Sequence, residues 1–132
     1  MKRSIWIVAV CAALAASTAA WGQAGTKPPV YKVKSEVVVK GKVVSATTIA
    51  DWMGKDSVNI ALESPDGTVP HVDIAPAAFL KLFDFPIAVG DDLSLTGCWS
   101  EAADGSPVFL VHELSKRRVS LNVRDPGGIP LW

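Results

Sequence analysis

Cysteine is scarce in this sequence, which contains only Cys11 and Cys98. Because no C-x-x-C-H segment is present, covalent c-type haem is excluded on this chain. Cys11 lies in an N-terminal segment that we expect to be removed, so Cys98 has no partner for an internal disulfide. We expect Cys98 to be a small buried hydrophobic residue, with an intermolecular bridge or a reactive thiol as the alternative.

Recognisable catalytic motifs are also absent from the sequence. It contains no G-x-S-x-G, H-E-x-x-H, C-x-x-C or glycine-rich phosphate-loop motif, and no serine has a histidine and a carboxylate at recognisable positions. Aspartates are plentiful in the predicted loops, but turns attract aspartate for backbone reasons. We therefore predict a protein that is not an enzyme and that needs no cofactor.

The one long apolar stretch lies at the N-terminus. Lys2 and Arg3 precede a mostly apolar run from Ile5 to Ala16, and small residues follow it. This order is typical of a secretory signal peptide, and the run is shorter than the roughly 20 apolar residues that a membrane-spanning helix needs. Cleavage is predicted after Ala24, or alternatively after Ala20, and an uncleaved anchor is the competing interpretation. We expect an exported, periplasmic protein without a transmembrane segment in its mature part.

The predicted mature part has little net charge. The chain has 13 basic and 13 acidic residues, and loss of Lys2 and Arg3 leaves 11 against 13, a net charge of about −2. Nucleic-acid binding is therefore not expected. The basic residues of the mature part are concentrated near its two ends, which form either ordinary solvated surface or one anion-binding patch. These residues are Lys32, Lys34, Lys40, Lys42, Lys116, Arg117, Arg118 and Arg124.

Alternating apolar residues predict a mainly β domain. We predict a short helix between the third and fourth strands, and Gly41 in the long first strand indicates a bulge or a bend. This order is typical of a small five-stranded OB-like Greek-key barrel, with an open sheet or a sandwich as the alternative. The predicted strands cover residues 37–49, 57–62, 68–74, 93–99 and 108–114, with a possible sixth over 119–123. The predicted organisation is a signal peptide (1–24), a flexible lead-in (25–35) and an OB-like barrel with a C-terminal extension (36–132).

Trp52 and Met53 lie in the predicted loop between the first two strands. In OB barrels the loops after strands one and four border the ligand face, so these side chains either stack on a ligand or cover the barrel mouth. Lys40 and Lys42 are the candidate basic contacts for such a ligand. Trp99 is in register with the apolar residues of its own strand, and we expect it in the core.

His71 and His112 are the two histidines of the chain. His71 and Asp73 lie on one face of the third predicted strand, because side chains alternate along a strand. If strands three and five bring His112 to them, these three residues form a candidate transition-metal site. Otherwise the two histidines are ordinary surface residues.

Four segments resemble a known family: residues 41–43 (GKV), 74–80 (IAPAAFL), 90–97 (GDDLSLTG) and 123–132 (VRDPGGIPLW). They are similar to small exported bacterial OB-fold-like barrels related to a domain of the magnetosome proteins MamS and MamX. The C-terminal tail is the most specific part of this resemblance. The resemblance implies an envelope or metal-handling accessory module. Where such proteins carry haem they use C-x-x-C-H segments, which this chain lacks, and no catalytic residue is carried over.

The tail also has a physical interpretation of its own. Arg124 and Asp125 can fix a turn, Gly127 and Gly128 allow a tight reversal, and Trp132 after Pro130 can bury a large apolar area. We predict that this segment is a structural latch, whose members are Arg124, Asp125, Gly128, Pro130 and Trp132.

Three functions remain open on the sequence alone. The leading one is a non-enzymatic exported module that binds a partner protein or a small ligand in the cell envelope. One alternative is a barrel that binds oligosaccharide or nucleic acid through Trp52 and the basic patch. The other is a metal-binding accessory protein that uses His71, Asp73 and His112.

Overall fold

The computed structural model describes residues 29–51 and 53–132, which form a mainly β domain. Its elements are β1 (Val37–Ala50), β2 (Asp56–Ser64), β3 (Gly67–Pro76), α1 (Ala77–Leu82), β4 (Asp92–Glu101), β5 (Pro107–Lys116) and β6 (Val119–Asn122). The predicted order of strands and the position of the helix are confirmed. The predicted signal peptide lies outside the described residues. Within the described ranges, no helix combines the length and the apolar character needed to cross a membrane.

Strand pairing closes the sheet on itself. The neighbours follow the order β3-β2-β1-β4-β5-β6, and β3 also pairs with β5. That additional pairing is parallel, with Val72 opposite Phe109 and Asp73 opposite Leu110, whereas the other pairings are antiparallel. Because β3 returns to β5, the first five strands form a closed Greek-key barrel of the OB type. The short β6 extends the sheet beyond β5, so the described residues contain the five predicted barrel strands and the possible sixth strand indicated over 119–123.

The long strand β1 pairs with two neighbouring strands. Residues 37–42 pair with β4, and residues 42–50 pair with β2. Where the strand passes from one neighbour to the other, a side chain on Gly41 would come within 2.4 Å of the carbonyl oxygen of Glu63 in β2. Glycine is needed there because the two backbones approach so closely. The register irregularity follows directly, within residues 43–45.

The barrel interior is filled by alternate residues of its five strands. The largest fully buried side chains include Phe109, Leu62, Ile74, Leu95 and Leu114. Phe79 and Leu80 of α1 join the same apolar cluster. Close packing of this interior holds the backbones of β2 and β3, and therefore also positions the side chains that project from their outer face.

A second apolar cluster lies on the outer face of β4 and β5. Its buried members are Cys98, Val108 and Leu110, with Tyr31 and Ala102 packed against them. Cys98 is a free thiol with an exposed fraction of 0%. It is therefore buried among apolar residues, as predicted. The barrel thus buries apolar residues on both faces of β4 and β5.

Residues 29–35 make defined contacts with this outer cluster. The hydroxyl of Ser100 donates to the carbonyl oxygen of Val30 at 2.6 Å, and the backbone N–H of Lys32 donates to Sγ of Cys98 at 3.2 Å. Residues 33–35 form a single 3-10 turn. This part of the predicted flexible lead-in is therefore packed on β4, because the apolar outer face of that strand needs a cover.

Trp99 departs from the prediction of a core residue. It is on the interior side of β4 and packs edge-to-face on Phe109, with 5.4 Å between ring centroids, yet 41% of it is exposed. The reason is the length of β1, whose pairing with β4 begins with Val37 opposite Gly97. Trp99 lies beyond that point, and it lines an open groove together with Val38 and Val39 of β1.

Candidate binding cleft

The outer face of β2 and β3 carries two polar side-chain pairs. The hydroxyl of Ser57 donates to Oδ1 of Asp73 at 2.7 Å, and Oδ1 of Asn59 lies 2.8 Å from Nε2 of His71. The residues between them along the two strands pack in the barrel core. These four polar side chains therefore project away from the core and share one face.

The amide of Asn59 sets the roles of donor and acceptor in its pair with His71. Its Nδ2 donates to the carbonyl oxygen of Ser57 at 3.2 Å, which leaves Oδ1 as the acceptor. Nε2 of His71 is therefore the donor, and in the neutral form of the ring Nδ1 carries a lone pair. This polar face of β2 and β3 is the floor of the site, and it offers hydrogen-bond acceptors to a ligand.

Two loops enclose a cavity over these pairs. One is the loop of residues 51–55 between β1 and β2, and the other is the loop of residues 102–106 between β4 and β5. The cavity has a volume of about 130 Å³. Its lining includes Asp51, Ala102 and Ala103 together with the two polar pairs. OB barrels bind their ligands on the face of strands two and three between these same loops.

Each of these loops is organised by an aspartate. Oδ1 of Asp51 accepts from the backbone N–H groups of Met53 at 2.8 Å and Lys55 at 2.9 Å. Oδ1 of Asp104 accepts from the hydroxyl of Ser106 at 2.6 Å and from its backbone N–H at 2.9 Å. The bonds from Ser106 hold the pKa of Asp104 below its ordinary value. These bonds tie Met53 and Lys55 to Asp51 on one side of the cavity, and Ser106 to Asp104 on the other.

A second cleft continues the cavity toward the C-terminal tail. It has a volume of about 480 Å³, and its far wall includes Met53, Lys55, Arg124 and Trp132. Four residues line both spaces: Pro29, Asp51, Ser57 and Asp73. We refer to the two spaces as the small cavity and the tail cleft, and to both together as the binding cleft.

Arg124 is the buried charged residue of the tail cleft, with an exposed fraction of 8%. Its Nη1 donates to the carbonyl oxygen of Gly128 at 3.0 Å. Its Cζ lies 5.3 Å from the ring centroid of Tyr31 and 5.4 Å from that of Trp132, within the range of cation–π contacts. Burial lowers the pKa of Arg124, and the charge of Asp73 opposes this effect. Arg124 thus joins the tail to the segment that precedes β1.

The rest of the predicted latch forms a compact turn. The backbone N–H of Asp125 donates to the carbonyl oxygen of Ile129, and that of Gly128 donates to the carbonyl oxygen of Asp125, each at 2.9 Å. Oδ1 of Asp125 accepts from the N–H groups of Gly127 and Ile129, also at 2.9 Å. The backbone of Gly128 has φ of +85°, and a side chain there would come within 2.5 Å of the Tyr31 ring.

The last residues of the chain return to the barrel. Pro130 forms an isolated bridge with Arg124, and the N–H of Leu131 donates to the carbonyl oxygen of Val123 at 3.1 Å. The Trp132 ring packs edge-on against Phe79 of α1, with 6.0 Å between centroids. These contacts are those a latch would make, and its contribution to stability stays a prediction that we return to in the Discussion.

Asp73 is one of two carboxylates, with Asp51, that line both the small cavity and the tail cleft. Burial raises its pKa, whereas the hydrogen bond from Ser57 and the positive charge of Arg124 act in the opposite direction. The carboxylate is therefore poorly solvated. A cation that approaches it would restore part of the lost solvation.

His112 lies in a different hydrogen-bond network. Its Nδ1 is 2.8 Å from Oε2 of Glu36, which also accepts from the hydroxyl of Tyr31. This carboxylate and its hydrogen bond raise the pKa of Tyr31, in addition to the larger effect of burial. The network fastens the segment before β1 to β5.

The predicted metal site is not formed. The parallel register of β3 and β5 sets Leu110 beside Asp73, so His112 does not reach His71 and Asp73. Across residues 29–51 and 53–132, no group of three or more His, Cys, Asp or Glu side chains is arranged to hold a metal ion. The physical reason is the register, which the alternation within each strand does not specify.

The predicted ligand contacts of the first loop are only partly described. Trp52 lies outside the described residues. Met53 lines the tail cleft, and 56% of it is exposed. The structure thus places the loop, and one of its two predicted contact residues, at the binding cleft.

Lys40 and Lys42 lie away from the binding cleft. They line a groove of about 660 Å³ together with Arg117, so the two basic ends of the chain do meet there in part. Glu63 and Asp92 line the same groove, and Nζ of Lys42 is 3.8 Å from Oδ1 of Asp92. The basic charge of this groove is therefore largely balanced.

Sequence reasoning missed Ser57 and Asn59, which form half of the cavity floor. A signal for them exists, because polar residues alternate with Val58 and Ile60 in a strand whose other face is apolar. The sequence also assigned Arg124 to the latch alone, although it lines the tail cleft.

Comparison with known families adds to this geometry. The model of the MamS/MamX magnetosome protein family matches residues 35–121, about two thirds of the chain. The chain belongs to this family. The matched range begins just before β1 and ends within β6, so it contains the whole barrel. The tail at residues 123–132, which seemed the most specific part of the resemblance, lies beyond it.

Among curated proteins, the comparison finds no match. Among solved structures, the chain is similar to the second OB-fold domain of replication protein A from Methanococcus maripaludis, determined by solution NMR. The two share 18% sequence identity with a TM-score of 0.44, over 64% of this chain and 86% of that chain.

Proposed function

We propose that this chain is a non-enzymatic binding module that is exported to the periplasm and serves a magnetosome-like, metal-handling system of the cell envelope. The family membership supports the link to magnetosomes, and the N-terminal segment supports export. We further propose that the module binds an extended peptide segment of a partner protein. One observation carries this proposal: a continuous cleft runs between loop 51–55, loop 102–106 and the tail.

The lining of the cleft favours a peptide among the ligands that OB barrels take. Asp51 and Asp73 line both of its spaces, and they would repel the phosphates of a nucleic acid. Apolar side chains also line it, such as Val108 in the small cavity and Trp132 in the tail cleft. A mostly apolar wall with a few placed polar groups is the usual composition of a binding site.

The hydrogen bonds of the cleft also support binding over catalysis. In the common serine–histidine arrangement, a histidine lies within hydrogen-bond reach of the nucleophilic hydroxyl and acts as its base. Here the hydroxyl of Ser57 donates to Asp73, while His71 bonds to Asn59. The polar side chains are therefore paired as a fixed surface, and they do not form a serine–histidine relay.

A selection from a phage-displayed library of random peptides tests this proposal. We expect the purified protein to enrich peptides whose binding is lost in Ala103→Phe, because a bulky side chain there would fill the small cavity. Ala88→Phe is the matched control, since Ala88 is exposed and lines neither space of the cleft. Peptides that bind equally well to both variants, or no enrichment at all, would contradict the proposed function.

Binding of the alternative ligands is tested with the same purified protein. Quenching of tryptophan fluorescence by single-stranded DNA or by an oligosaccharide panel, lost in Trp52→Ala, would replace the peptide by one of those ligands. We expect no quenching by either.

Export has a separate test. Expressed with its N-terminus intact in a Gram-negative host, the protein should appear in the periplasmic fraction with Gly25 as its first residue. Mass spectrometry of the intact protein reads the cleavage point. A full-length protein retained in the cytoplasm would overturn the localisation and leave the binding role to its own test.

A further inference from the structure

The small cavity differs in charge from the tail cleft next to it. Its charged lining consists of Asp51 and Asp73, and among the described residues no lysine or arginine lines it. Lys55 and Arg124 line the tail cleft only. The cavity is therefore a negative site in a chain whose formal net charge is zero, and it favours positively charged ligand groups.

The free hydrogen-bonding positions on the cavity floor are acceptors. The donor that Asp73 has among the described residues is Ser57, which uses Oδ1 and leaves Oδ2 with its lone pairs. His71 donates its Nε2–H to Asn59, so in the neutral form of the ring its Nδ1 is also an acceptor. A ligand group that matches this floor must bring donors.

The walls of the cavity are apolar and narrow. Ile49, Ala102, Ala103 and Val108 line it above the polar floor. A volume of about 130 Å³ suits a short alkyl chain better than a bulky ring system. A group with a flexible methylene stem and a charged tip would bury the stem along these walls and bring the tip to the floor.

The single free oxygen of Asp73 distinguishes between cationic groups. A guanidinium pairs best with both oxygens of a carboxylate, in a bidentate arrangement. Ser57 already occupies one of them. An ammonium group is a compact charge with three donors, so it fits a site with one carboxylate oxygen and a second nearby acceptor.

We propose that the small cavity binds a primary ammonium group at the end of an alkyl chain, as in a lysine side chain, with Asp73 as its anionic partner. Asp73 is a binding residue in this assignment, and Ser57 and Asn59 are positioning residues that orient Asp73 and His71. The assignment rests on the proposed function, because it names the side chain by which a bound peptide is recognised.

NMR titration with small probes tests the assignment directly. The probes are Nα-acetyl-lysine methylamide, n-butylamine and Nα-acetyl-norleucine methylamide, which has a neutral side chain of similar length. We expect both amines to shift the backbone resonances of Asn59, His71 and Val108 saturably at neutral pH. The norleucine probe should bind about tenfold more weakly or worse, because it lacks the charged donor. Equal binding of the lysine and norleucine probes would overturn the proposal.

Two variants complete the test. Asp73→Asn keeps an oxygen for Ser57 but removes the charge, and we expect it to weaken binding of both amines about tenfold or more. Asp66→Asn, in the exposed turn between β2 and β3, is the matched control and should bind like the wild type. Amine binding that survives in Asp73→Asn would contradict the assignment, and the spectrum of each variant reports whether it is folded.

The two proposals fail in different ways. If selected peptides depend on Ala103 but tolerate replacement of every lysine by norleucine, the ammonium site is wrong and the binding module stands. If no peptide binding depends on Ala103 while the amines bind at Asp73, the cavity takes a free amine, and the peptide function is wrong.

Discussion

The two faces of the barrel wall are used in different ways. The inner face is apolar and fully packed, and on β2 and β3 the residues Leu62 and Val72 have an exposed fraction of 0%. The outer face of β2 and β3 instead carries Ser57, Asn59 and Asp73, with a cavity and a cleft above them. Both faces belong to the same strands, so alternation of side chains alone separates the part that stabilises the domain from the part that binds.

This difference explains on which face of the barrel wall buried polar side chains are found. A polar group inside the barrel would lose its water without gaining a partner. On the outer face, Ser57 and Asn59 are nearly as buried but are hydrogen-bonded to Asp73, to His71 and to the backbone. The comparison predicts that substitutions on the inner face act on stability, whereas those in the binding cleft act mainly on recognition.

Truncation of an inner-face residue should give the largest effect. We expect Leu95→Ala to lower the free energy of unfolding by about 2–5 kcal/mol, because it leaves a cavity in a closed interior. Leu82→Ala is the matched control, since Leu82 is 76% exposed in α1, and it should change stability by less than about 0.5 kcal/mol. Urea unfolding followed by tryptophan fluorescence measures both. Similar losses in the two variants would contradict the inner-face comparison.

A methyl group in the tail turn should have the next largest effect. Gly128→Ala forces a left-handed backbone on alanine and brings its side chain against Tyr31, so we expect a loss of about 1–3 kcal/mol. At Gly127 the nearest atom is the flexible carboxylate of Asp125 at 3.3 Å, and Gly127→Ala is the control. Thermal unfolding compares the two variants. A smaller loss at position 128 than at position 127 would show that the turn does not constrain the tail.

Removal of the chain end tests the latch itself. Deletion of Ile129–Trp132 removes the bridge to Arg124 and the contact of Trp132 with Phe79. If these contacts are worth about 1 kcal/mol, Tm should fall by about 4–8 °C. Differential scanning calorimetry measures the shift, and an unchanged Tm would leave the tail without a stabilising role.

The smallest effect is expected from the pH dependence of Asp73. Because its pKa is raised in the folded state, its contribution to stability is present below the ordinary value of 3.8 and is lost as the pH rises through the raised value. Asp73→Asn cannot ionise and escapes that loss. Its free energy of unfolding relative to the wild type should therefore increase between about pH 3 and pH 7. Urea unfolding at both pH values measures this difference, and a decrease over the same range would contradict the burial of the carboxylate.

Much of the fold could be predicted because its signals are local. The alternation in β2, β4 and β5 and the proline before α1 appear within a few residues of each other, and the structure has these elements at the expected places. Gly41 predicted an irregularity of β1 for the same reason, and the register between β1 and β2 shifts close to it, within residues 43–45. The partial exposure of the Trp99 side chain could not be predicted, because it depends on the residue of β4 at which pairing with β1 begins.

The candidate site was less predictable from sequence. The loop of Met53 was expected at the ligand face, and it lines the tail cleft. The pairing of His112 with Glu36, which separates it from His71, joins residues far apart in the chain and leaves no pattern in either strand. Polar residues at alternate positions of β2 are visible in the sequence, but their partners on β3 depend on the register between the two strands.

The sequence by itself determined the order of the strands, the glycine near which β1 changes neighbours, and the alternation of core and outward-facing residues in β2 and β3. These features arise from backbone preferences and from the transfer of neighbouring apolar residues out of water, which act over short stretches of chain. Only the tertiary structure decided that β3 closes on β5, that Tyr31 and Trp132 meet at Arg124, and that two loops enclose Asp73. Those contacts join distant segments, and their geometry follows from strand register and close packing of the whole barrel.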